Sequence, residues 1–182
     1  MIYYVMKQDA DVKRAFQLKA WLKRPEKDSP LAKLSLCRSR PSFGVVESDI
    51  YNEYPDFVGG PDFVGGKVTL ISEKLHGIIG LYAPYLRMYS VVLVEQNPVR
   101  QKLYYGLHVP ELDCASDLTV RRFGEIVDLV LDPAKIGNKA VFKVVGDGRI
   151  IVRVDVAESV LRRLPYGVDF EFVKVEEKRS KQ

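Results

Sequence analysis

The chain has 182 residues, with 28 Lys or Arg and 24 Asp or Glu, and its formal net charge is +4. This length fits one domain, and 47% apolar with 29% charged residues excludes a disordered, collagen-like or coiled-coil chain. No apolar run approaches the roughly 20 residues that span a bilayer. The first residues also lack the basic lead and apolar core of a signal peptide. We therefore expect a cytoplasmic protein that does not contact a membrane.

Positive charge is concentrated at the start of the chain. Residues 1–43 contain ten Lys or Arg against four Asp or Glu, which is a net charge of +6. Residues 44–72 contain five Asp or Glu against one Lys, which is a net charge of −4. These two segments either attract partners of opposite charge or pair with each other on the surface.

The first two predicted elements are a strand and a helix. Residues 2–7 are rich in aromatic and β-branched side chains, which favours a strand. Asp9 or Asp11 is placed to cap a helix that runs to about Arg24, and Pro25 then ends it.

This helix is predicted to be amphipathic and basic. Its apolar stripe consists of Val12, Ala15, Phe16, Leu18, Trp21 and Leu22. Its basic residues are Lys13, Arg14, Lys19 and Lys23. One interpretation is a helix whose apolar stripe packs on the protein core and whose basic face is solvated, which is sufficient to explain the pattern. The alternative is a nucleic-acid-binding surface, since aromatic and basic side chains alternate along this segment.

A hexapeptide, Pro-Asp-Phe-Val-Gly-Gly, follows a Pro-rich loop region (25–43, with a short extended piece at 34–37) and occurs twice in tandem, at 55–60 and 61–66. Gly pairs permit positive φ and Pro keeps the preceding residue extended, so each copy is expected to turn the chain. One interpretation is a tolerated surface insertion. The other is a binding loop with exposed rings. The candidate partner-binding residues are then Phe57, Phe63, Asp56 and Asp62, together with Trp21 and Arg14.

The second half of the chain has a more regular pattern of strands and helices. The first predicted elements are a strand at 68–71, a helix capped by Ser72 and ended by Pro84, and strands at 88–95 and 101–109 joined by a turn at Asn97-Pro98. A connection at 110–124, a strand at 125–131 and a hairpin of 140–145 and 149–154 follow. The last two elements are a helix capped by Asp155, with Glu158 three residues later, and a closing strand at 168–175. The last helix is expected to bury Val156, Val160, Leu161 and Leu164, with a surface pair between Glu158 and Arg162.

These elements predict an α+β fold in which a mostly antiparallel sheet is packed by two to four helices on one face. A basic strand–helix segment and the acidic repeat loop (1–66) are expected to pack on an α+β core domain (67–176), followed by a charged tail (177–182). Together they form one compact domain.

The residues offer little catalytic chemistry. Cys114, Asp113 and His108 are the best triad-like set, which would make the chain a small thiol hydrolase. However, an adjacent carboxylate raises a thiol pKa, and activated thiols need a neighbouring cation. No metal-ligand spacing and no nucleotide-binding or hydrolase motif occurs. We therefore expect a protein that is not an enzyme and that uses no metal or cofactor.

The chain resembles a bacterial family of unknown function that is grouped with the immunity proteins of polymorphic toxin systems. The resemblance covers residues 68–175 and the opening Tyr3-Tyr4-Val5. Its motifs are the segments 107–114 (LHVPELDC), 130–136 (VLDPAKI), 140–144 (AVFKV) and 150–159 (IIVRVDVAES), and the pair Gly167-Val168.

This resemblance implies an immunity-type module that binds a cognate toxin and covers its active site. It implies no catalytic residues. The acidic segment at 47–66 suits a basic toxin such as a nuclease and the basic helix suits an acidic one, so the partner stays open, as does the oligomeric state.

Overall fold

The structure is a computed structural model that describes residues 1–22, 42–48, 54–63, 66–96 and 99–176. Side chains are described for residues 1–12, 54–59, 69–94 and 100–176. The predicted extended piece at 34–37, the turn at 97–98 and the tail at 177–182 lie outside these ranges.

Strands make up most of the described chain. In chain order they are β1 (Tyr3–Gln8), β2 (Phe16–Leu22), β3 (Ser42–Ser48), β4 (Phe57–Phe63), β5 (Gly66–Ser72), β6 (Arg87–Gln96), β7 (Val99–His108), β8 (Glu111–Leu112), β9 (Val120–Arg122), β10 (Glu125–Asp128), β11 (Val130–Leu131), β12 (Val141–Val144), β13 (Ile150–Arg153) and β14 (Val168–Val175). The helices are α1 (Ala10–Ala15), α2 (Glu73–Tyr82), α3 (Pro133–Ile136) and α4 (Val154–Leu161).

The strands form two six-stranded sheets and one two-stranded ribbon. The first sheet has the order β11-β14-β1-β13-β12-β8, and β1 pairs antiparallel with both β13 and β14. The second sheet has the order β2-β3-β6-β7-β5-β4, and the ribbon is β9 with β10. Strands β2 and β4, at opposite ends of the second sheet, come into contact, so this sheet curls.

Three clusters of buried apolar side chains hold these layers together. The largest joins both sheets to α2 and α4, and it includes Met6, Phe57, Ile71, Leu75, Ile79, Val152, Val156 and Val160. The second packs on the other face of the first sheet and includes Tyr3, Val5, Cys114, Leu131, Phe142 and Ile151. The third lies within the second sheet and includes Val58, Leu70, Val91, Leu93 and Tyr104.

Much of the expected pattern is confirmed. Antiparallel pairing dominates, and only three of the described strand pairs are parallel: β3–β6, β8–β12 and β11–β14. The first strand, the hairpin of β12 and β13 and the closing strand lie where composition, turn residues and alternation, respectively, predict them. The Oγ of Ser72 accepts a hydrogen bond from the backbone N–H of Leu75 (3.4 Å), as expected for an N-cap. The sequence pattern predicted one sheet, whereas the structure has two.

The predicted basic helix to Arg24 is wrong. The helix α1 does begin after Asp9, whose side chain accepts hydrogen bonds from the backbone N–H groups of Asp11 (2.9 Å) and Val12 (3.1 Å). It ends at Ala15, and residues 16–22 form β2. Apolar residues occur at every second position from Phe16, which fits a strand better than the helical spacing that we preferred.

The start and the buried face of the last helix also differ from the prediction. Its N-cap is Arg153, and Asp155 lies in the first turn, where its carboxylate binds the Arg153 guanidinium (2.7 Å). That pairing lowers the pKa of Asp155. Val156 and Val160 are buried as predicted, but Leu161 and Leu164 are exposed. Leu161 lies outside the buried face of the helix, which is formed by residues 156, 157 and 160, and Leu164 lies beyond the end of the helix. The surface pair of Glu158 and Arg162 is present (3.4 Å).

Candidate functional site

Two of the predicted partner-binding residues lie in the interior. Phe57 is 4% exposed and belongs to the largest core cluster, and Asp56 is 7% exposed. The first repeat leads into β4, which pairs with β5 at Phe57↔Ile71, instead of forming an exposed loop. The prediction that Phe57 projects from a loop is therefore wrong, because the strand directs its ring into the core.

The carboxylate of Asp56 is fully engaged inside the protein. It accepts hydrogen bonds from Ser72 Oγ (2.5 Å) and from the backbone N–H of Tyr166 (2.9 Å), and it pairs with Lys74 Nζ (3.4 Å). A carboxylate with these partners is committed to holding the fold together and is not presented to a partner protein.

The other four predicted residues are placed by their backbone alone. Asp62 and Phe63 lie in β4, Trp21 lies in β2 and Arg14 lies in α1. Contact between β2 and β4 brings the strands of Trp21 and Phe63 to the same part of the second sheet. Their side chains lie outside the described set, so their role as partner contacts stays a prediction.

Cys114 is placed as a structural thiol. Its side chain is completely buried in the second core cluster, whereas His108 is exposed at the end of β7 in the other sheet. Burial, followed by the charges of Asp113 and Asp132, raises the pKa of Cys114 to about 11. Nucleophilic cysteines need the opposite shift, so this thiol does not suit the hydrolase alternative.

Thiol labelling should reflect this burial. In a Cys37→Ser variant at pH 8, we expect Cys114 in the folded protein to react with a disulfide reagent about 100-fold more slowly than in denaturant. The thiolate fraction at a pKa of about 11 is smaller than that of a free thiol by roughly this factor. Comparable rates in the folded and denatured protein would contradict a buried structural role.

An exposed hairpin built by β9 and β10 is the most distinctive surface feature of the described chain. Arg122 pairs with Glu125, so only Phe123 and Gly124 form the turn. Both have positive φ (51° and 86°), as in a type I′ turn. Phenylalanine rarely adopts this conformation, yet the ring of Phe123 is fully exposed and gains nothing from packing.

Further apolar side chains extend the exposed surface of the hairpin. Leu118, Val120 and Val127 are all exposed. The base is anchored, because Ile126 packs against the second core cluster and Asp128 pairs with Lys174 of β14 (2.7 Å). The sequence pattern predicted a connection at 110–124 and a strand at 125–131, so it missed this hairpin. The available signal was a Phe-Gly pair between two short segments that contain β-branched residues.

The strand β14 borders a second surface feature, a cleft of about 350 Å³ beneath α4. Its walls are mainly apolar and include Tyr4, Leu161 and Phe170, while Glu158 and Asp169 stand at its edge. Phe172, two residues further along β14, is 60% exposed. The rings of Phe170 and Phe172 both meet Tyr4 edge-on, at centroid distances of 6.5 and 6.1 Å.

Neither a cluster of metal-binding side chains nor a membrane-spanning helix occurs among the described residues. Within them, no three His, Cys, Asp or Glu side chains lie close enough together to hold a metal ion. None of the described helices has the length and apolar character needed to cross a bilayer.

No protein-family model matches the chain. No curated protein matches it either.

Proposed function

We propose that this chain is an α+β protein-binding module, with α2 and α4 packed on one face of the first sheet, and that it neutralises a cognate toxin by covering part of its surface. The protein-binding part rests on the hairpin. The toxin as partner rests on the resemblance of residues 68–175 to immunity proteins.

The observation that carries the proposal is Phe123. A fully exposed ring in a left-handed backbone conformation contributes strain and no packing, and it costs about 1 kcal/mol relative to an unstrained turn. Exposed aromatic side chains that fill a pocket of a partner are the usual anchors of protein interfaces. Two exposed arginines, Arg121 and Arg122, precede the ring, and arginine is likewise enriched at such anchors.

The rim of the hairpin has the mixed character of a protein interface. The exposed apolar side chains of Val120 and Val127 lie beside charged ones at 121, 122, 125 and 128, so the surface combines apolar and polar groups as protein interfaces do. Anchoring by Ile126 and by the Asp128–Lys174 pair keeps the turn in place before binding. A preformed turn reduces the entropy lost on association.

Replacement of Phe123 by asparagine should separate stability from binding. Asparagine tolerates positive φ, so Phe123→Asn is expected to raise the free energy of unfolding by about 0.5–1 kcal/mol. The same change should weaken partner binding tenfold or more, because an anchor ring is lost. Urea unfolding followed by circular dichroism measures the first effect, and calorimetric titration with the partner measures the second.

The partner for this test is the product of the gene adjacent to the one that encodes this chain. It should be toxic when expressed alone and harmless when co-expressed with the wild-type chain, and Phe123→Asn should restore toxicity. Leu81→Ala is the matched control, because Leu81 is an exposed apolar residue on α2, which packs in a different core cluster from the hairpin. Equal protection by the wild type and by Phe123→Asn would contradict the role of the hairpin.

A further inference from the structure

The outer edge of β14 is open over most of its length. On one side, Val168–Val173 pairs with β1 in continuous antiparallel register. On the other side, β11 covers only Lys174 and Val175. No other described strand pairs with this edge at 168–173. Alternate backbone N–H and C=O groups of these six residues therefore point away from the sheet without a strand partner, which is the arrangement that accepts an added strand. The N–H of Phe170 donates to Asp169 Oδ1 (2.8 Å) in an exposed contact, which an added strand would have to replace.

The two faces of this edge differ in chemistry. Phe170 and Phe172 lie on the face that carries Tyr4 and the cleft beneath α4. The side chains of Asp169 and Glu171 point to the opposite face, where both reach Lys7, because side chains alternate along a strand. Asp169 also borders the cleft because it precedes Phe170. Among the described residues, Lys7 pairs with both carboxylates, at 3.5 and 2.8 Å, while Arg149, which also acts on Glu171, is paired with Asp147. A negative charge thus remains after this pairing.

A second copy of this chain does not suit the edge. Two identical strands pair antiparallel about a two-fold axis that passes through one residue, since residues of one face must oppose residues of the same face. An axis at Phe170 places Asp169 opposite Glu171 of the copy, and an axis at Glu171 places that carboxylate opposite itself. Like charges directly opposite destabilise a strand pair. An axis at Phe172 would require Lys174 to pair with Phe170 of the copy, but the outer edge of Lys174 already pairs with β11.

We propose that β14 accepts an extended segment of a partner protein, with Lys or Arg opposite Asp169 and Glu171 and apolar side chains opposite Phe170 and Phe172. This inference rests on the proposed protein-binding function and gives the partner a chemistry: a basic and apolar alternating strand. Main-chain hydrogen bonds supply the attachment, and the two faces of β14 select the sequence.

A defined peptide serves as the probe. Acetylated seven-residue peptides with alternating lysine and valine, or alternating glutamate and valine, are titrated into the isotope-labelled full-length protein at low salt. We expect the lysine peptide to shift the backbone amide signals of residues 168–173, and the glutamate peptide to bind at least about tenfold more weakly. A lysine peptide methylated on alternate backbone nitrogens, along the edge that faces β14, should lose binding because it cannot donate to the strand.

A charge-reversed variant completes the test. Asp169→Lys combined with Glu171→Lys should reverse the order, so that the glutamate peptide binds about tenfold more tightly than the lysine peptide. Circular dichroism checks that this variant is folded. Equal binding of the methylated peptide, an unchanged order in the variant, or shifts that arise from self-association without peptide would each overturn the inference.

The two proposals fail separately. Phe123→Asn should leave lysine-peptide binding at β14 unchanged, since the turn is not part of this edge. A toxin complex that depends on Phe123, together with no response of residues 168–173 to the lysine peptide, would overturn the strand addition alone. Binding of the lysine peptide without any complex with the adjacent gene product would support strand addition at β14 and contradict the proposed toxin partner.

Discussion

Replacing Asp56 by alanine is expected to lower the free energy of unfolding by about 2–4 kcal/mol. The substitution removes an acceptor that binds Ser72 Oγ (2.5 Å) and the backbone N–H of Tyr166 (2.9 Å). Both donors would lose that partner, and the buried cavity left behind offers no replacement. A buried donor without an acceptor costs about 1–3 kcal/mol. The cost of two such donors is larger than the gain from no longer burying one charged carboxylate.

Equilibrium urea unfolding of Asp56→Ala measures this loss. Asp56→Asn keeps one acceptor oxygen and should give an intermediate effect. Asp128→Ala is the matched control, because Asp128 makes an exposed ion pair with Lys174, and such pairs contribute about 0–1 kcal/mol. A loss for Asp56→Ala no larger than that for Asp128→Ala would show that the network does not stabilise the fold.

The large effect expected for Asp56 follows from the segments that meet there. Its backbone N–H donates to Tyr166 O (2.7 Å) and its carbonyl accepts from the backbone N–H of Ser72 (2.9 Å). The turn that contains Tyr166 continues to Gly167, whose φ is +73°. A Cβ at Gly167 would lie 2.8 Å from Pro55 Cβ and 2.9 Å from Val12 Cγ1, so only glycine allows this close approach.

Local patterns were sufficient for elements whose determinants are close in sequence. The cap of α2 is set by Ser72 and the N–H three residues later, and the hairpin of β12 and β13 is set by its own turn. The partners of Asp56 are different, because Tyr166 lies 110 residues further along the chain. No periodicity in either segment indicates that they meet, so the sequence alone predicted Asp56 as a partner-binding residue in a loop.

The remaining errors have distinct physical causes. In residues 16–22, apolar positions satisfy both a helical and an alternating pattern, and tertiary pairing with β3 selects the strand. The tandem repeat was judged by its glycines and prolines, whereas the first copy is fixed by pairing with β5. The hairpin at Phe123 was missed because phenylalanine is an unusual first residue of a type I′ turn, so the Phe-Gly pair gave a weak turn signal.

Replacing Phe57 by alanine should have the largest effect on stability, with a loss of about 3–5 kcal/mol. Its ring is 4% exposed and lies opposite Ile71 in the cluster that joins both sheets to α2 and α4. The loss combines the transfer of the ring to water with the cavity that remains. Since small domains are stable by only about 5–15 kcal/mol, Phe57→Leu, with an expected loss below about 1.5 kcal/mol, provides a folded variant for comparison.

Phe123→Ala is the matched control, because it makes the same chemical change at a fully exposed ring. Urea unfolding should give a change within about 0.5 kcal/mol for Phe123→Ala, while binding of the proposed partner should weaken. Phe57→Leu should show the reverse, with lower stability and unchanged affinity at temperatures where it is folded. If the Phe57→Leu protein is fully folded but has lost affinity for the partner, Phe57 would belong to the binding surface after all. The two phenylalanines thus separate a residue that builds the sheet junction from one that the fold does not need.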